Sequence, residues 1–235
     1  MKVDQLKKQA KELVRAARGG DEAAAARFGD LRTELVARLI EAMISVYRAD
    51  YERVREVCER GLVLARHLGA RRFEAELMAL QGHAIGELGG IADAQVLLQH
   101  AASLALEVAR TYCGPWCLGV QALHMVNEEC ARELLAQGEA LLAEGCVSHN
   151  HIEFRRLAME FNLRHGDVAQ TRRHAAALRD YTKDESLAWS DLIIGRAEYL
   201  ADRAENPARP DLGARREALL RGIDAADFAW LRRDL

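Results

Sequence analysis

The sequence predicts an all-α fold in which antiparallel helix pairs follow one another in tandem and stack into a superhelical solenoid. Three observations favour this fold. The chain has only 3 prolines in 235 residues, so it allows long uninterrupted helices. Apolar residues recur at the spacing of one helix face along most of the chain. Turn residues recur at intervals close to 40 residues, which is typical of helical repeats.

Four turn residues mark the repeat. Asp50, Gly90, Asn127 and Asp167 each precede the second helix of a predicted pair, at intervals of 40, 37 and 40 residues. Asp and Asn at these positions can cap the helix that follows. One helix pair cannot bury its apolar face alone, so we expect neighbouring pairs to share one continuous core.

Residues 1–30 are predicted to form a small helical hairpin that caps the array. Leu6 and Leu13 fall on one helix face, and Gly19-Gly20 is expected to end that helix. Asp21 can then cap the next helix. Such a hairpin would cover the apolar face that a terminal repeat otherwise exposes.

Residues 31–205 are predicted to be the repeat array itself. The apolar periodicity and the turn residues divide it into helices over 35–48, 51–68, 71–88, 91–112, 115–126, 127–145, 151–165, 168–181 and 187–204. Gly82 and Gly86 lie inside the third of these helices and weaken the prediction of its second half. Pro115 is expected in the first turn of a short helix. Residues 206–235 would form a proline-containing loop and a last helix that caps the array.

The composition narrows the class of protein. The 33 basic and 36 acidic residues give a formal net charge of −3, which argues against a nucleic-acid-binding protein. The five cysteines are an odd number in helical sequence, and we expect reduced thiols. No apolar run reaches the ~18 residues of a membrane span, and the start of the sequence lacks the apolar core of a signal peptide. We therefore expect a cytoplasmic protein that does not bind membranes.

Several segments in the first half of the chain resemble tetratricopeptide repeats. Residues 49–53, Ala-Asp-Tyr-Glu-Arg, and residues 58–66, Cys-Glu-Arg-Gly-Leu-Val-Leu-Ala-Arg, look like the corner and second helix of such a unit. Residues 70–76, Ala-Arg-Arg-Phe-Glu-Ala-Glu, resemble the start of the next unit. The resemblance implies a solenoid of tetratricopeptide type.

The second half of the chain is similar to a more specific family. Its segments, in order, are Gly114-Pro115-Trp116-Cys117-Leu118-Gly119, Gly138-Glu139-Ala140-Leu141-Leu142-Ala143-Glu144-Gly145, His149-Asn150-His151, Ala175-Ala176-Ala177-Leu178-Arg179-Asp180-Tyr181-Thr182 and Leu187-Ala188-Trp189-Ser190-Asp191. Together they look like the C-terminal helical-repeat region of bacterial signal-transduction ATPases, which are often joined to an adenylate-cyclase-type domain. Those regulators are related in style to the maltose-regulon type of transcription activator. The resemblance covers about residues 50–205.

The chain departs from those regulators where their chemistry would lie. It contains no G-x-x-x-x-G-K-[ST] phosphate loop, and its remaining length has no room for a cyclase domain. No helix-turn-helix with a basic face is evident. The resemblance therefore implies the repeat module of a regulator without its ATPase.

Cys146, His149 and His151 form the most metal-like cluster of the sequence. A four-ligand zinc site would need Cys113 or Cys117 from another repeat, and the spacing matches no standard zinc pattern. We expect a small core cysteine and two histidines at an inter-helix corner, with no metal. Cys113 and Cys117 are four residues apart, which is not the C-x-x-C spacing of a redox pair.

Aromatic and charged residues supply the candidate binding surface. Large aromatic side chains anchor interfaces, and Trp116 near Tyr112 is a candidate for a groove. Trp189 is favoured as a core residue, and Arg155 would present charge, although a solvated face explains that arginine equally well. The candidate binding residues are Tyr112, Trp116, His149, Asn150, His151, Arg155 and Trp189.

These observations favour a non-catalytic scaffold or regulatory module that binds a protein or peptide partner. The related regulators imply an alternative, by resemblance only, in which the repeats sense a small-molecule effector. An all-α enzyme is a third alternative, although the sequence has neither a G-x-S-x-G nor an H-E-x-x-H motif. We expect no cofactor, and a homodimer formed through an uncapped terminal repeat is a further alternative.

Overall fold

The computed structural model describes residues 22–185 and 187–235, with side chains from Arg27 onwards except that of Phe28. These residues form ten α-helices and one short 3-10 helix, Ala229–Arg232, and no strand. The α-helices are α1 (Glu22–Tyr47), α2 (Tyr51–Leu68), α3 (Arg71–Glu87), α4 (Ile91–Val108), α5 (Arg110–Leu123), α6 (Glu128–Glu144), α7 (Ser148–Arg164), α8 (Val168–Thr182), α9 (Ala188–Glu205) and α10 (Leu212–Ala226). The predicted all-α class is confirmed. The predicted hairpin over residues 1–30 lies largely outside the described residues and stays a prediction.

The chain forms two compact units. Of the described residues, unit 1 comprises 22–46 and 50–108, and unit 2 comprises 47–49, 109–185 and 187–235. Residues 47–49, which include the end of α1, therefore belong to unit 2.

Unit 1 is built from helices joined by very short connections, which force successive helices to run antiparallel. Helix α3 packs against both α2 and α4. Asp50 caps α2, because its side chain accepts a hydrogen bond from the backbone N–H of Arg53 at 3.1 Å. The Arg53 guanidinium also pairs with Glu41 and so joins α1 to α2. Gly69 ends α2 with φ of 63°, a conformation that glycine adopts without strain.

Glycines let the helices of unit 1 approach one another closely. A Cβ on Gly82 would lie 2.7 Å from the side chain of Leu98, and a Cβ on Gly61 would lie 2.9 Å from that of Leu77. Helix α3 accordingly continues past Gly82 and Gly86 to Glu87. The glycines that weaken the sequence prediction are therefore positions of close packing.

Unit 2 repeats the same arrangement three times, in the pairs α5–α6, α7–α8 and α9–α10. The first helices also pack directly on one another, α5 on α7 and α7 on α9. Asn127 caps α6, because its side chain accepts a hydrogen bond from the backbone N–H of Cys130 at 2.9 Å. Asp167 caps α8 in the same way, with a hydrogen bond from the backbone N–H of Gln170 at 3.0 Å. Sequential pairs with stacked first helices are the arrangement expected of a helical repeat.

The largest departures from the predicted helix boundaries lie in α1 and around the start of α5. The helix predicted over 35–48 is the second part of the longer α1. The helix predicted to run from 91 to 112 ends at Val108, and α5 begins at Arg110. Pro115 therefore lies in the interior of α5, and its predicted place in the first turn is wrong. The backbone breaks at Ala109, where φ is −153° and ψ is 40°. No glycine or proline marks this break, so the local sequence does not reveal it.

Candidate functional site

The backbone of α5 is perturbed near Pro115, and Asn150 supports it. Pro115 has no N–H, so the carbonyl of Thr111 lacks its usual helical donor. That carbonyl accepts instead from the N-cap residue of α7 at 3.2 Å. The fully buried Asn150 accepts from Trp116 N–H at 3.3 Å and donates to Tyr112 O at 2.5 Å. Asn150 thus has a structural role, because it completes the backbone hydrogen bonding of α5.

The predicted aromatic residues around α7 make two separate contacts. The rings of Tyr112 and His149 meet edge to face with their centroids 5.1 Å apart. The ring of His151 stacks on Tyr181 of α8, with a centroid distance of 4.1 Å. Burial lowers the pKa of His151, and the nearby Arg155 guanidinium lowers it further. His151 is therefore a neutral stacking partner near neutral pH.

Cys146, His149 and His151 do not converge as metal ligands. In the part of the chain that the structure describes, these three residues do not form a group whose ligand atoms lie within 4.8 Å of one another. Cys146 Sγ instead donates to the carbonyl of Leu141 at 3.1 Å. Burial, followed by the nearby carboxylate of Glu144, raises the pKa of the Cys146 thiol. His149 and His151 make aromatic contacts, whereas Cys146 is only partly buried and is not the core residue that the sequence predicts.

The two predicted tryptophans lie in different places. Trp116 is buried on α5, which leaves little of its side chain to offer a partner. Trp189 packs against the core between α8, α9 and α10. Its ring also meets that of Tyr47, at a centroid distance of 6.1 Å. The core position agrees with the interpretation favoured for Trp189 from the sequence.

Arg155 belongs to a charged cluster that joins three helices. Glu139 of α6 accepts from Arg155 of α7 and makes a two-point contact with Arg173 of α8, at 2.9 and 2.7 Å. Arg155 Nη1 also lies 2.9 Å from Nδ1 of the buried His174. Because a guanidinium can only donate, that ring nitrogen must accept, and His174 is neutral.

The pKa values of this cluster follow from its composition. Burial lowers the pKa of His174 to about 3, and the positive charges of Arg155 and Arg173 act in the same direction. For Glu139, burial alone would raise the pKa, but the hydrogen bonds from Arg173 and Arg155 hold it at about 2. The cluster is a clamp between helices in which the carboxylate stays ionised and the imidazole stays neutral.

A second charged feature, which was not predicted from the sequence, runs along the first helices α7 and α9. We call Glu153, Arg156, Glu160 and Arg196 the charged row. Arg156 pairs with Glu153 at 2.9 Å, and Arg196 pairs with Glu160 at 2.8 Å. All four side chains are at most 7% exposed. The spacing of three and four residues in α7 places its members on one helix face.

Ionised groups hold the charged row together. Burial alone would raise the pKa of Glu160, but Arg196 and Arg164 hold it below its usual value. The hydroxyl of Tyr47 donates to Glu153, and burial together with that carboxylate raises the pKa of Tyr47 well above its usual value. Glu160 therefore stays ionised over the physiological pH range, and acidic and basic groups alternate along the row.

The segment 228–235 lies on the charged row. The ring of Trp230 faces the guanidinium groups of Arg156 and Arg196, with its centroid 4.8 and 5.8 Å from their Cζ atoms. Arg196 also donates to the carbonyl of Arg233, at 3.0 and 3.3 Å. Leu231 is fully buried in the core of unit 2. A short peptide segment thus already occupies this face.

A cavity of about 290 Å³ lies beside the segment. Its lining combines acidic, basic and apolar side chains and includes Glu160, Arg164, Leu200, Arg203 and Asp234. The size suits a small polar molecule or one side chain of a partner. None of the predicted binding residues lines this cavity.

Comparisons of the chain with protein-family models, curated protein sequences and solved structures gave no significant match. Among the described helices, none is both long and apolar enough to cross a membrane.

Proposed function

We propose that unit 2 is a non-catalytic peptide-binding module of tetratricopeptide type, and that its partner binds the face of α7 and α9 that carries the charged row. The observation that carries this proposal is the contact between the charged row and segment 228–235. An aromatic ring over two guanidinium groups and a backbone carbonyl held by arginine are contacts that a linear peptide with an aromatic residue can make.

The resemblance to the repeat regions of bacterial signal-transduction regulators supports a regulatory setting for this module. Stacked first helices give repeat proteins an extended surface for partners. The proposed role needs no catalytic residue and no cofactor. Its partner is a protein or a peptide.

Site-specific photocrosslinking tests the proposal. A photoreactive amino acid at Arg203, in the cavity beside the charged row, should crosslink a protein partner in cells that express the chain. The matched control carries the same group at Arg60, an exposed position on α2. Arg196→Met should reduce the Arg203 crosslink at least 5-fold without changing the control. Crosslinks of equal yield at Arg60 and Arg203, insensitive to Arg196→Met, would contradict the proposal.

The cavity supports a second candidate function, in which unit 2 senses a small-molecule effector. Both charge signs line the space, which favours a polar zwitterionic ligand. A thermal-shift screen of metabolites should then give a concentration-dependent rise in melting temperature, because a ligand that binds only the folded state stabilises it. The rise should disappear in Arg203→Ala. A screen without such a hit would count against this function.

A further inference from the structure

We propose that segment 228–235 is a tethered ligand of the charged row, and that a partner must displace it with a peptide of the same chemistry. That chemistry is a tryptophan followed directly by leucine, with an acidic residue three positions after the leucine. This inference rests on the proposed function and adds to it the class of partner and the means of regulation.

The segment leaves α10 through a sharp reversal of the backbone. Asp227 has φ of 57°, which is uncommon for a residue other than glycine. The N–H of Phe228 then bonds to Ile223 O at 3.1 Å. After this turn the 3-10 helix Ala229–Arg232 runs back over the charged row. The segment is thus a separate short element and not a continuation of α10.

What the segment covers distinguishes it from an ordinary hydrophobic cap. A cap stabilises a terminal repeat by covering apolar surface. Trp230 packs against the apolar core too, but its ring also covers Arg156 and Arg196, and both of these are paired with buried glutamates. Removing such groups from water carries a desolvation cost that a hydrophobic contact does not. Among the described residues, the indole N–H of Trp230 has no hydrogen-bond partner, which adds to that cost.

The outer attachments of the segment are weak. Asp227 pairs with Arg48, and Arg232 pairs with Asp224, but each of these four side chains is about half exposed or more. Exposed ion pairs contribute little to stability. Leu231 is the one fully buried side chain that we find in the segment. An external peptide that supplies its own tryptophan and leucine can therefore replace the contacts of Trp230 and Leu231, whereas the packing of Phe228 and Leu235 on the core requires further apolar side chains.

The features that define the partner come from individual contacts. Trp230 lies over the two guanidinium groups, and Leu231 fills the apolar site next to it. Asp234 places a carboxylate oxygen 3.8 Å from Arg196 Nη2. A peptide with this order of side chains would satisfy Arg196 and Arg156 in the same way.

A competition experiment tests the inference with the full chain. The probe is a fluorescein-labelled, amidated peptide with the sequence of residues 226–235, measured by fluorescence anisotropy. We expect Trp230→Ala in the chain to raise the affinity for the probe at least 10-fold over the wild-type chain. A tethered segment competes at a high effective concentration, and the substitution weakens that competitor. Adding Arg196→Met to the Trp230→Ala chain should abolish the gain.

A matched control separates release of the segment from general loosening of unit 2. Asn127→Ala removes the exposed N-cap bond of α6, should destabilise unit 2 away from the charged row and should leave the affinity for the probe at the wild-type value. If Asn127→Ala raises the affinity as much as Trp230→Ala does, the inference is wrong.

A second measurement serves if Trp230→Ala does not fold. Hydrogen exchange of the wild-type chain is compared with and without excess unlabelled peptide. We expect faster exchange of the amides of 228–235 when the peptide is bound. Peptide binding without any change in the exchange of these amides would overturn the inference. A wild-type dimer that the peptide converts to monomer would also overturn it, because the segment would then be exchanged between two copies of the chain.

The outcome also separates this inference from the proposed function. Suppose that no variant binds the probe, while the crosslink at Arg203 still depends on Arg196. The inference that segment 228–235 is a tethered ligand is then wrong, and the proposed peptide-binding function is retained. If the crosslink fails as well, both are wrong.

Discussion

A buried asparagine shows how one residue can determine the shape of a helix in this protein. Asn150 bonds to the N–H of Trp116 and to the carbonyl of Tyr112, two groups that a regular helix would pair with each other. Pro115 lies just before the first of them. The conformation of α5 therefore depends on a side chain of α7, more than 30 residues later in the chain.

Replacing Asn150 with Ala should destabilise unit 2. The change leaves a buried N–H and a buried carbonyl without their partner, at a cost of about 2–4 kcal/mol in the free energy of unfolding. Pro115→Ala should reduce this cost, because an alanine at 115 lets α5 close its own backbone bonds. We expect a coupling of at least about 1 kcal/mol between the two substitutions.

Urea unfolding followed by tryptophan fluorescence measures both quantities. The control is Asn127→Ala, which removes an exposed cap for about 1 kcal/mol and should show no coupling to Pro115→Ala. Strictly additive effects of Asn150→Ala and Pro115→Ala would mean that the asparagine does not support the helix at the proline.

At the scale of elements, glycines mark where helices touch. In three helix pairs a glycine faces a large side chain 16 positions later, namely Gly61 and Leu77, Gly82 and Leu98, and Gly138 and Phe154. The equal offset reflects two antiparallel helices joined by a short connection. Where the offset recurs, neighbouring helices approach each other at the same register.

Gly138→Ala should destabilise unit 2 although alanine is the better helix former. The new Cβ would clash with the ring of Phe154, which is fully buried and cannot move without disturbing the core. We expect a loss of about 1–3 kcal/mol in the free energy of unfolding. Gly213→Ala is the matched control. A Cβ there meets nothing within 4 Å, so its helix propensity should stabilise α10 by up to about 1 kcal/mol.

Chemical denaturation of the two variants gives the comparison. Equal shifts of the unfolding midpoint in the same direction would show that propensity, and not packing, dominates at Gly138.

The sequence predicts the elements well where their signals are local. Asp50, Asn127 and Asp167 are recognisable caps, and each does cap the predicted helix. The break at Ala109 could not be predicted in the same way, because the residues that hold α5 in place come from the start of α7.

For the candidate site, too, contacts between helices distant in sequence could not be predicted. Tyr112, Trp116, His149 and Asn150 do lie together, although the predicted helix bounds placed them in different helix pairs. The charged row could not be predicted, because its alternation appears only when Arg196 of α9 meets Glu160 of α7. The spacing of Glu153, Arg156 and Glu160 on one helix face was the available signal. The sequence around Trp230 did not indicate that its ring would lie over the guanidinium groups of Arg156 and Arg196.

At the scale of the whole molecule, titratable groups give the two units opposite responses to pH. In unit 1, burial raises the pKa of Glu76 to about 7, although the nearby Arg72 lowers it. A carboxyl with a raised pKa contributes stability that is present below about 4.5 and is lost as the pH rises through about 7. In unit 2, the pKa of His174 is lowered to about 3, so its contribution is present above about 6.5 and is lost on acidification.

Unit 1 should therefore lose stability between pH 4.5 and pH 7, whereas unit 2 should gain it. At about 1.4 kcal/mol per pH unit, Glu76 accounts for at most about 3.5 kcal/mol. All three tryptophans lie in unit 2, so their fluorescence reports the unfolding of that unit, while circular dichroism reports both. Glu76→Gln should flatten the pH dependence seen by circular dichroism and leave that of the fluorescence unchanged. If Glu76→Gln alters neither signal, or alters the tryptophan transition alone, the buried carboxyl is not the group that makes unit 1 sensitive to pH.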